Sequence, residues 1–496
     1  MMSYTLNNQN LHRFRKDVAI PTYDRSKVKA GIVHVGIGGF HRAHQAYYMD
    51  QLLHDETNKN WGICGIALLD TDKKIYDTLQ KQDGLYTLIV KELDGSLSKR
   101  VIGSIIESLF APQHPSLVIE KMANPATKLI TLTITEGGYN YDEATGTFNI
   151  NNPLIQFDLK NPKTPKTIFG YLTAAIKNRK ENGDPGFTIQ SCDNIQGNGD
   201  MTKKMLLSYV KLASPELIPW IKTNISFPNS MVDRITPVTV ASDISDLKET
   251  SGIEDAWPVV CESYKQWIIE DNFIVGRPLW EKEGVQFVKD VVPYENMKLS
   301  LLNAGHSVLG ILGALIGYTT IDESVRNHEI QKFLKMYLDK EVTPILEGLE
   351  GVDLTAYKEA LIRRFGNVHI KDQIDRICSE SSAKIPIFIL PTIKAQLRRN
   401  GSIIYAAFVI AAWAIYSLGK DEKGNTLIRK DVMHNVLYEK AIEAKDKPES
   451  FLEIASIFGD LIAYDGFVQT YKEAYKSISK LGIAKSLEAM NPKIYN

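Results

Sequence analysis

Cysteine is scarce: Cys64, Cys192, Cys261 and Cys378 are the four in 496 residues, far apart and with no CxxC pair. That argues against a disulfide framework or a zinc cluster, and it fits a reducing cytoplasm. A charge excess of either sign is missing too. With 58 basic and 59 acidic residues the formal net charge is -1, so there is no electrostatic footprint for nucleic acid or an anionic membrane. There is no internal repeat or low-complexity tract, and the polar stretch Met1 to Arg15 lacks the apolar core of a signal peptide. Of two long apolar runs, Ile403 to Leu418 is short for a bilayer. Leu299 to Tyr318 has the length but contains Asn303 and His306, and polar residues are rare inside membranes. Both read as buried helices, with no membrane partner.

What is present is ordinary globular composition, 44% hydrophobic and 24% charged, in a chain too long for one core. The first half alternates strand-like and helix-like segments. Ile32 to Val35 precedes a Gly-rich turn and a helical stretch from His41 to about Leu53. Trp61 to Leu69 ends on Asp70, Leu129 to Thr135 on Glu136, and Phe187 to Gln190 on Ser191 to Asn194. This alternation predicts a parallel α/β sheet with its chemistry at the strands' C-terminal ends. From about Pro293 the pattern turns helical: Met297 to Tyr318, Glu329 to Leu346, Leu354 to Phe365 and Ile403 to Leu418. The expected division is a dinucleotide-binding domain over 1–290 and an α-helical substrate domain over 291–496, with the site in the cleft between them.

Gly36-x-Gly38, between a strand and a helix, suits close approach of a pyrophosphate to backbone N–H groups. The third glycine position is His41. Asp70 ends the next strand, where a carboxylate accepts hydrogen bonds from an adenosine ribose and repels a 2′-phosphate. That favours NAD over NADP, although Lys73 and Lys74 lie close enough in sequence to keep NADP open. His41 and His44, three apart, have no local carboxylate or Cys to complete a metal site, and none is expected.

The second constellation is Lys298-Leu-Ser-Leu-Leu-Asn303-Ala-Gly-His306 within an apolar helix. At about 100° per residue His306 sits roughly 80° around from Lys298, and Asn303 roughly 140°. A buried lysine loses its proton more readily, which makes it a candidate general base.

These motifs together resemble the polyol-specific long-chain dehydrogenases. The resemblance runs through Gly31 to Gln45, Thr133 to Tyr139, Ser191 to Asn194, Phe227 to Pro237, Gln266 to Phe273, the lysine helix, and Asp375 to Lys384. It implies a Rossmann-type N-terminal domain, a helical C-terminal domain, frequently a monomer, and reversible metal-independent oxidation of a secondary alcohol, typically D-mannitol to D-fructose. By motif, Lys298 would be the general base, Asn194 and Asn303 would bind the reacting oxygen, and His306 would position substrate. Asp233, Arg376 and Lys384 would contact the polyol chain, and Gly36, Gly38, Phe40 and Asp70 the cofactor. Glu136 and Glu295 are candidates to relay the proton. One departure stands out: where the family carries Asp-Gly-Ser-x-Lys, this chain reads Glu380-Ser-Ser-Ala-Lys384. Serine for glycine is expected to restrict that turn.

For such a reaction the lysine pKa must fall from about 10.4 to near 8, roughly 3 to 4 kcal/mol of differential stabilisation. A rival reading is a hexuronate reductase, because Arg376 could pair bidentately with a substrate carboxylate. Arabinitol and sorbitol remain open as substrates, and a silent nucleotide sensor is a rival of another class.

Overall fold

The computed structural model describes residues 2–14, 18–142, 146–347, 349 and 351–490. Met1 and Arg15, which bound the polar N-terminal stretch, lie outside the described residues. Contacts divide the chain into two units, Met1–Val292 and Pro293–Asn496.

The first unit is built on a wholly parallel six-stranded sheet: β1 (Ala30–Val35), β2 (Gly62–Ala67), β3 (Ile105–Phe110), β4 (Leu129–Leu132), β5 (Phe187–Ser191) and β6 (Ile225–Ser226). Their spatial order is β6-β5-β4-β1-β2-β3. Every residue of β1, β2, β4 and β5 is buried, as continuous apolar strands require when helices cover both faces. On one face Val33, Cys64 and Ile130 pack under helices Pro115–Ala123 and Ile168–Asn182. On the other, Ile32 and Ile63 meet Tyr48, Met49 and Leu52. The order reverses between β1 and β4, so their carboxyl ends open the crevice where doubly wound sheets bind ligands. A smaller sheet joins β7 (Ser230–Asp233) antiparallel to β8 (Gln266–Glu270), and β8 parallel to β9 (Gln286–Val288).

Two expectations for this unit need correction. The helix expected over His41 to Leu53 is two pieces, α1 (Gly39–Ala43) and α2 (Gln45–Leu52). They break at His44, whose Nε2 bonds the Gln266 carbonyl at 3.0 Å and whose ring packs on Phe40 and Trp267. Tertiary packing has overridden the helical pattern there. The strand expected through Thr135 stops at Leu132, and Thr135–Gly138 form a short helical turn.

The second unit is helical. The stretch expected as one helix from Met297 to Tyr318 is α3 (Val292–Lys298), a π turn over Leu299–Asn303, and α4 (Ala304–Ile316). Its composition and length would let it cross a membrane, yet 72% of its most apolar window is buried within the protein. It packs in one core with α7 (Ile404–Tyr416) and α8 (Asp465–Met490), α5 (Ile374–Cys378) and α6 (Ser381–Phe388) lying between in sequence. The helix expected over Glu329 to Leu346 ends at Tyr337 and passes into a second π turn, Leu338–Val342. Glu341 in that turn caps α7, accepting the Tyr405 and Ala406 N–H groups at 2.9 and 2.8 Å and the Ser402 hydroxyl at 2.9 Å. Burial pushes its carboxyl up to about 7.

Candidate active site

In the first unit the Gly-rich turn follows β1 at the reversal point. Gly36 has φ +98°, and a Cβ there would lie 2.1 Å from the Thr133 carbonyl oxygen, so only glycine closes the turn onto the end of β4. Gly38 differs: nothing lies within 4 Å of its missing Cβ. It caps α1 without a side-chain hydrogen bond, leaving first-turn N–H groups for another acceptor. The open space and the spare donors together fit a pyrophosphate cradle. Phe40, half-buried, packs on His44.

A polar spine beneath the turn was not foreseen. His34 Nδ1 bonds the Thr131 hydroxyl at 2.7 Å, and Nε2 bonds the Gly36 carbonyl and the Thr133 hydroxyl, each at 2.9 Å. His41 stacks on His34 with ring centroids 3.4 Å apart. His41 and His44 therefore serve different neighbours. Burial drives the His34 imidazole down to about 3, and His41 also well below its ordinary value. A histidine titrating near 6.5 when unfolded and near 3 when folded binds fewer protons in the native state across that window. Its stabilisation is thus complete above pH 6.5 and lost as pH falls toward 3, with a deficit at pH 5 of about 2 kcal/mol from His34 alone. Urea midpoints at pH 7.5 and 5.0 check this: His34→Gln, weaker at pH 7.5, should lose about that much less on acidification than the wild type.

Asp70 opens the exposed turn after β2. Asp72 accepts the Leu69 N–H at 3.0 Å and so ties that turn down. The neighbouring lysines are engaged elsewhere: Lys73 pairs with Asp77 at 2.7 Å, and Lys74 lies 4.7 Å over the Trp257 ring.

At the ends of β4 and β5 a buried carboxylate that sequence reasoning passed over ties two motifs together. Asp193 accepts the Ile134 and Thr135 N–H groups at 3.0 and 2.9 Å and the Tyr139 hydroxyl at 2.7 Å. Burial raises its carboxyl above the usual range. Thr135 has φ +59°, a left-handed conformation that a β-branched residue rarely adopts. The Asp193 clamp holds that strained residue in place beside Glu136, which is exposed, as is Asn194. The signal was the aspartate inside Ser-Cys-Asp-Asn, readable only once β4 and β5 are neighbours. Asp233, 5% exposed, ends β7.

In the second unit Lys298 and Glu295 lie on α3, 6% and 4% exposed. The π turn corrects the angles expected for a regular helix. Its bonds run from residue i to i+5, as from the Leu299 carbonyl to the Ala304 N–H. A wider turn advances each residue by less than 100°, so Asn303 lies closer around the axis to Lys298 than the 140° of a regular helix. His306 follows three residues on, the neighbour spacing of the α-helix. The Asn303 carboxamide oxygen is buried and has no hydrogen-bond partner among the described residues.

The His306 ring packs on Phe365, centroids 4.6 Å apart, and its Nε2 stands 3.8 Å from Asp372 Oδ2. Asp372 also takes Arg376 in a fork: Nε to Oδ1 at 3.0 Å, Nη2 to Oδ1 at 2.6 Å and to Oδ2 at 2.7 Å. Lys384 donates to the Ile377 and Arg376 carbonyls at 3.0 and 3.4 Å, and burial lowers its amine below the ordinary lysine value. The structure thus gathers His306 and Arg376 beside Asp372, with Lys384 held on the Arg376 and Ile377 carbonyls. Sequence reasoning missed Asp372, although its four-residue spacing from Arg376 on Lys-Asp-Gln-Ile-Asp-Arg was a usable signal.

The expected restriction at Glu380-Ser381 is also corrected. The left-handed residue is Glu380, φ +50°, while Ser381 begins α6 in helical conformation. Serine in place of glycine therefore costs no strain. It adds contacts: Ser381 Oγ donates to Asp431 at 3.0 Å and accepts from Trp413 Nε1 at 3.0 Å, beside Ser382 Oγ, which donates to Asp431 at 2.6 Å.

The sheet order, the crevice at its reversal and the glycine cradle define a doubly wound, Rossmann-type nucleotide-binding protein. Residues 30–282 match the mannitol dehydrogenase Rossmann domain, and residues 290–479 match the mannitol dehydrogenase C-terminal domain. The chain belongs to the mannitol dehydrogenase family. It is 44% identical to a mannitol 2-dehydrogenase of Aspergillus terreus, over 98% of this chain and 99% of that one. A solved mannitol 2-dehydrogenase of Pseudomonas fluorescens, a ternary complex with NAD and D-mannitol, superposes with TM-score 0.88 and 42% identity, covering 99% of this chain and 100% of that one. A solved D-sorbitol dehydrogenase in substrate-free form superposes with TM-score 0.91 and 37% identity, covering 97% and 100%.

Proposed function

We propose that this enzyme oxidises a secondary alcohol of a polyol to a ketose reversibly, D-mannitol to D-fructose above others, with NAD as the cofactor. The full-length likeness to mannitol 2-dehydrogenases supports the substrate class. The observation that carries the chemistry is Lys298, 6% exposed, with Asn303 at the end of the π turn that follows it. Burial disfavours an ammonium charge, the condition a lysine needs to act as general base near neutral pH. Lys298 takes the hydroxyl proton as alkoxide character develops, and the carboxamides of Asn303 and Asn194 donate to that oxygen. Glu295, three residues before Lys298 and itself buried, passes the proton onward. When bound, NAD supplies the hydride acceptor. Gly36 and Gly38 hold its pyrophosphate, and Phe40 lines its pocket. Asp70 takes the ribose hydroxyls, and Lys73 and Lys74 are turned to other partners, which favours NAD over NADP.

Initial rates for mannitol, sorbitol and arabinitol with NAD and with NADP test this reading. Mannitol with NAD should lead, and failure to oxidise any polyol overturns the proposal. In the same assay Asp70→Ala should narrow the NAD preference at least tenfold. An unchanged ratio would mean that Asp70 does not meet the ribose.

A further inference from the structure

The Arg376 guanidinium is spent before any substrate arrives. Carboxylate recognition by arginine uses two parallel N–H groups of its fork. Here Nε and Nη2 are both committed to Asp372, and the Nη1 amino group is the part of the fork not bound to it. The Asp372 side chain is buried while that of Arg376 is 59% exposed, so the carboxylate is the fixed member and the arginine is held to it. Asp372 is itself anchored, its backbone carbonyl accepting the Ile321 N–H at 2.9 Å. The second cation, Lys384, has Glu380 and Asp431 within electrostatic range. Arg376 is therefore paired with a buried carboxylate, and Lys384 has carboxylates of its own nearby.

We propose that Asp372 is a specificity-determining positioning residue: by neutralising Arg376 it restricts this site to uncharged polyols and ketoses and rejects sugar acids. Arg376 then offers donors from Nη1 to a hydroxyl, an interaction needing no charge. A substrate carboxylate would meet a fork already occupied and, beside it, a fixed negative charge. The same Asp372 lies 3.8 Å from His306 Nε2, so one carboxylate stands beside two of the residues assigned to substrate. This rests on the polyol reading above and names what that site refuses.

The test compares NADH-dependent reduction of D-fructose and of D-fructuronate by the full-length wild type and Asp372→Asn. The wild type should reduce fructose and discriminate strongly against fructuronate. In Asp372→Asn the fructuronate-to-fructose ratio of kcat/KM should rise at least tenfold. The gain should shrink in 0.5 M salt, as an unmasked charge requires, and vanish when Arg376→Gln is added. A folded Asp372→Asn with an unchanged ratio overturns the proposal. Should that variant fail to fold, the wild type alone decides through competition against mannitol by D-mannonate, which is mannitol with one end oxidised to a carboxylate. Mannonate binding at least tenfold weaker than mannitol supports the proposal, and equal binding overturns it. A wild type inactive on fructose would instead count against the polyol reading, a result distinct from either outcome.

Discussion

Lys298→Ala should lose at least about three orders of magnitude in mannitol turnover while still binding NADH. Removing the amine deletes both the proton acceptor and the donor that returns the proton in the reverse direction, and general-base transfer alone is worth roughly 100- to 10,000-fold. Cofactor binding is assigned to residues of the first unit, so fluorescence titration with NADH should give a dissociation constant within about threefold of the wild type. Residual activity should also lose the pH dependence that reports the amine. A variant close to full activity at pH 7 removes the base assignment, whatever its pH profile. Loss of NADH binding together with turnover would instead mean that Lys298 maintains the fold.

The two turn glycines should separate folding from cofactor binding. At Gly36 an alanine Cβ would lie 2.1 Å from the Thr133 carbonyl at a φ of +98°, so Gly36→Ala must distort the end of β4. Steric and backbone strain of that kind should cost about 3 kcal/mol of stability or more. At Gly38 the same methyl meets nothing within 4 Å, so the protein without cofactor should keep its urea midpoint within about 0.5 kcal/mol. The open space is where the pyrophosphate is proposed to lie, so Gly38→Ala should nonetheless weaken NADH binding at least tenfold. Equal NADH affinity in Gly38→Ala and the wild type would place the cofactor elsewhere.

Local features were legible in the sequence. The strand bearing Val33 and Val35, the turn at Gly36 and Gly38 and the carboxylate at Asp70 are written in consecutive residues, because buried parallel strands are continuous apolar runs bounded by punctuation. The buried lysine was legible for the same reason, standing in a long apolar stretch. What escaped depends on partners far along the chain. His44 breaks a helix because Gln266, more than two hundred residues on, accepts its ring N–H. Asp193 acquires its clamp from the Thr135 turn only when β4 and β5 pair. The π turn is invisible to a periodicity argument, since the apolar pattern of Leu299 to Leu302 is compatible with either winding. The Glu380 turn was misread because the restriction was placed at Ser381, whereas the left-handed residue is Glu380 before it.

That widened turn makes the spacing of Lys298 and Asn303 a matter of counting. Exchanging Ser300 for another small residue leaves the count intact, whereas losing one amino acid between them would let the wide turn close to an ordinary α-helical one and change the angle between the Lys298 and Asn303 side chains. An in-frame deletion there would thus reach the chemistry while barely altering composition, and Leu301 and Leu302, buried in the core, limit which letters the segment can exchange.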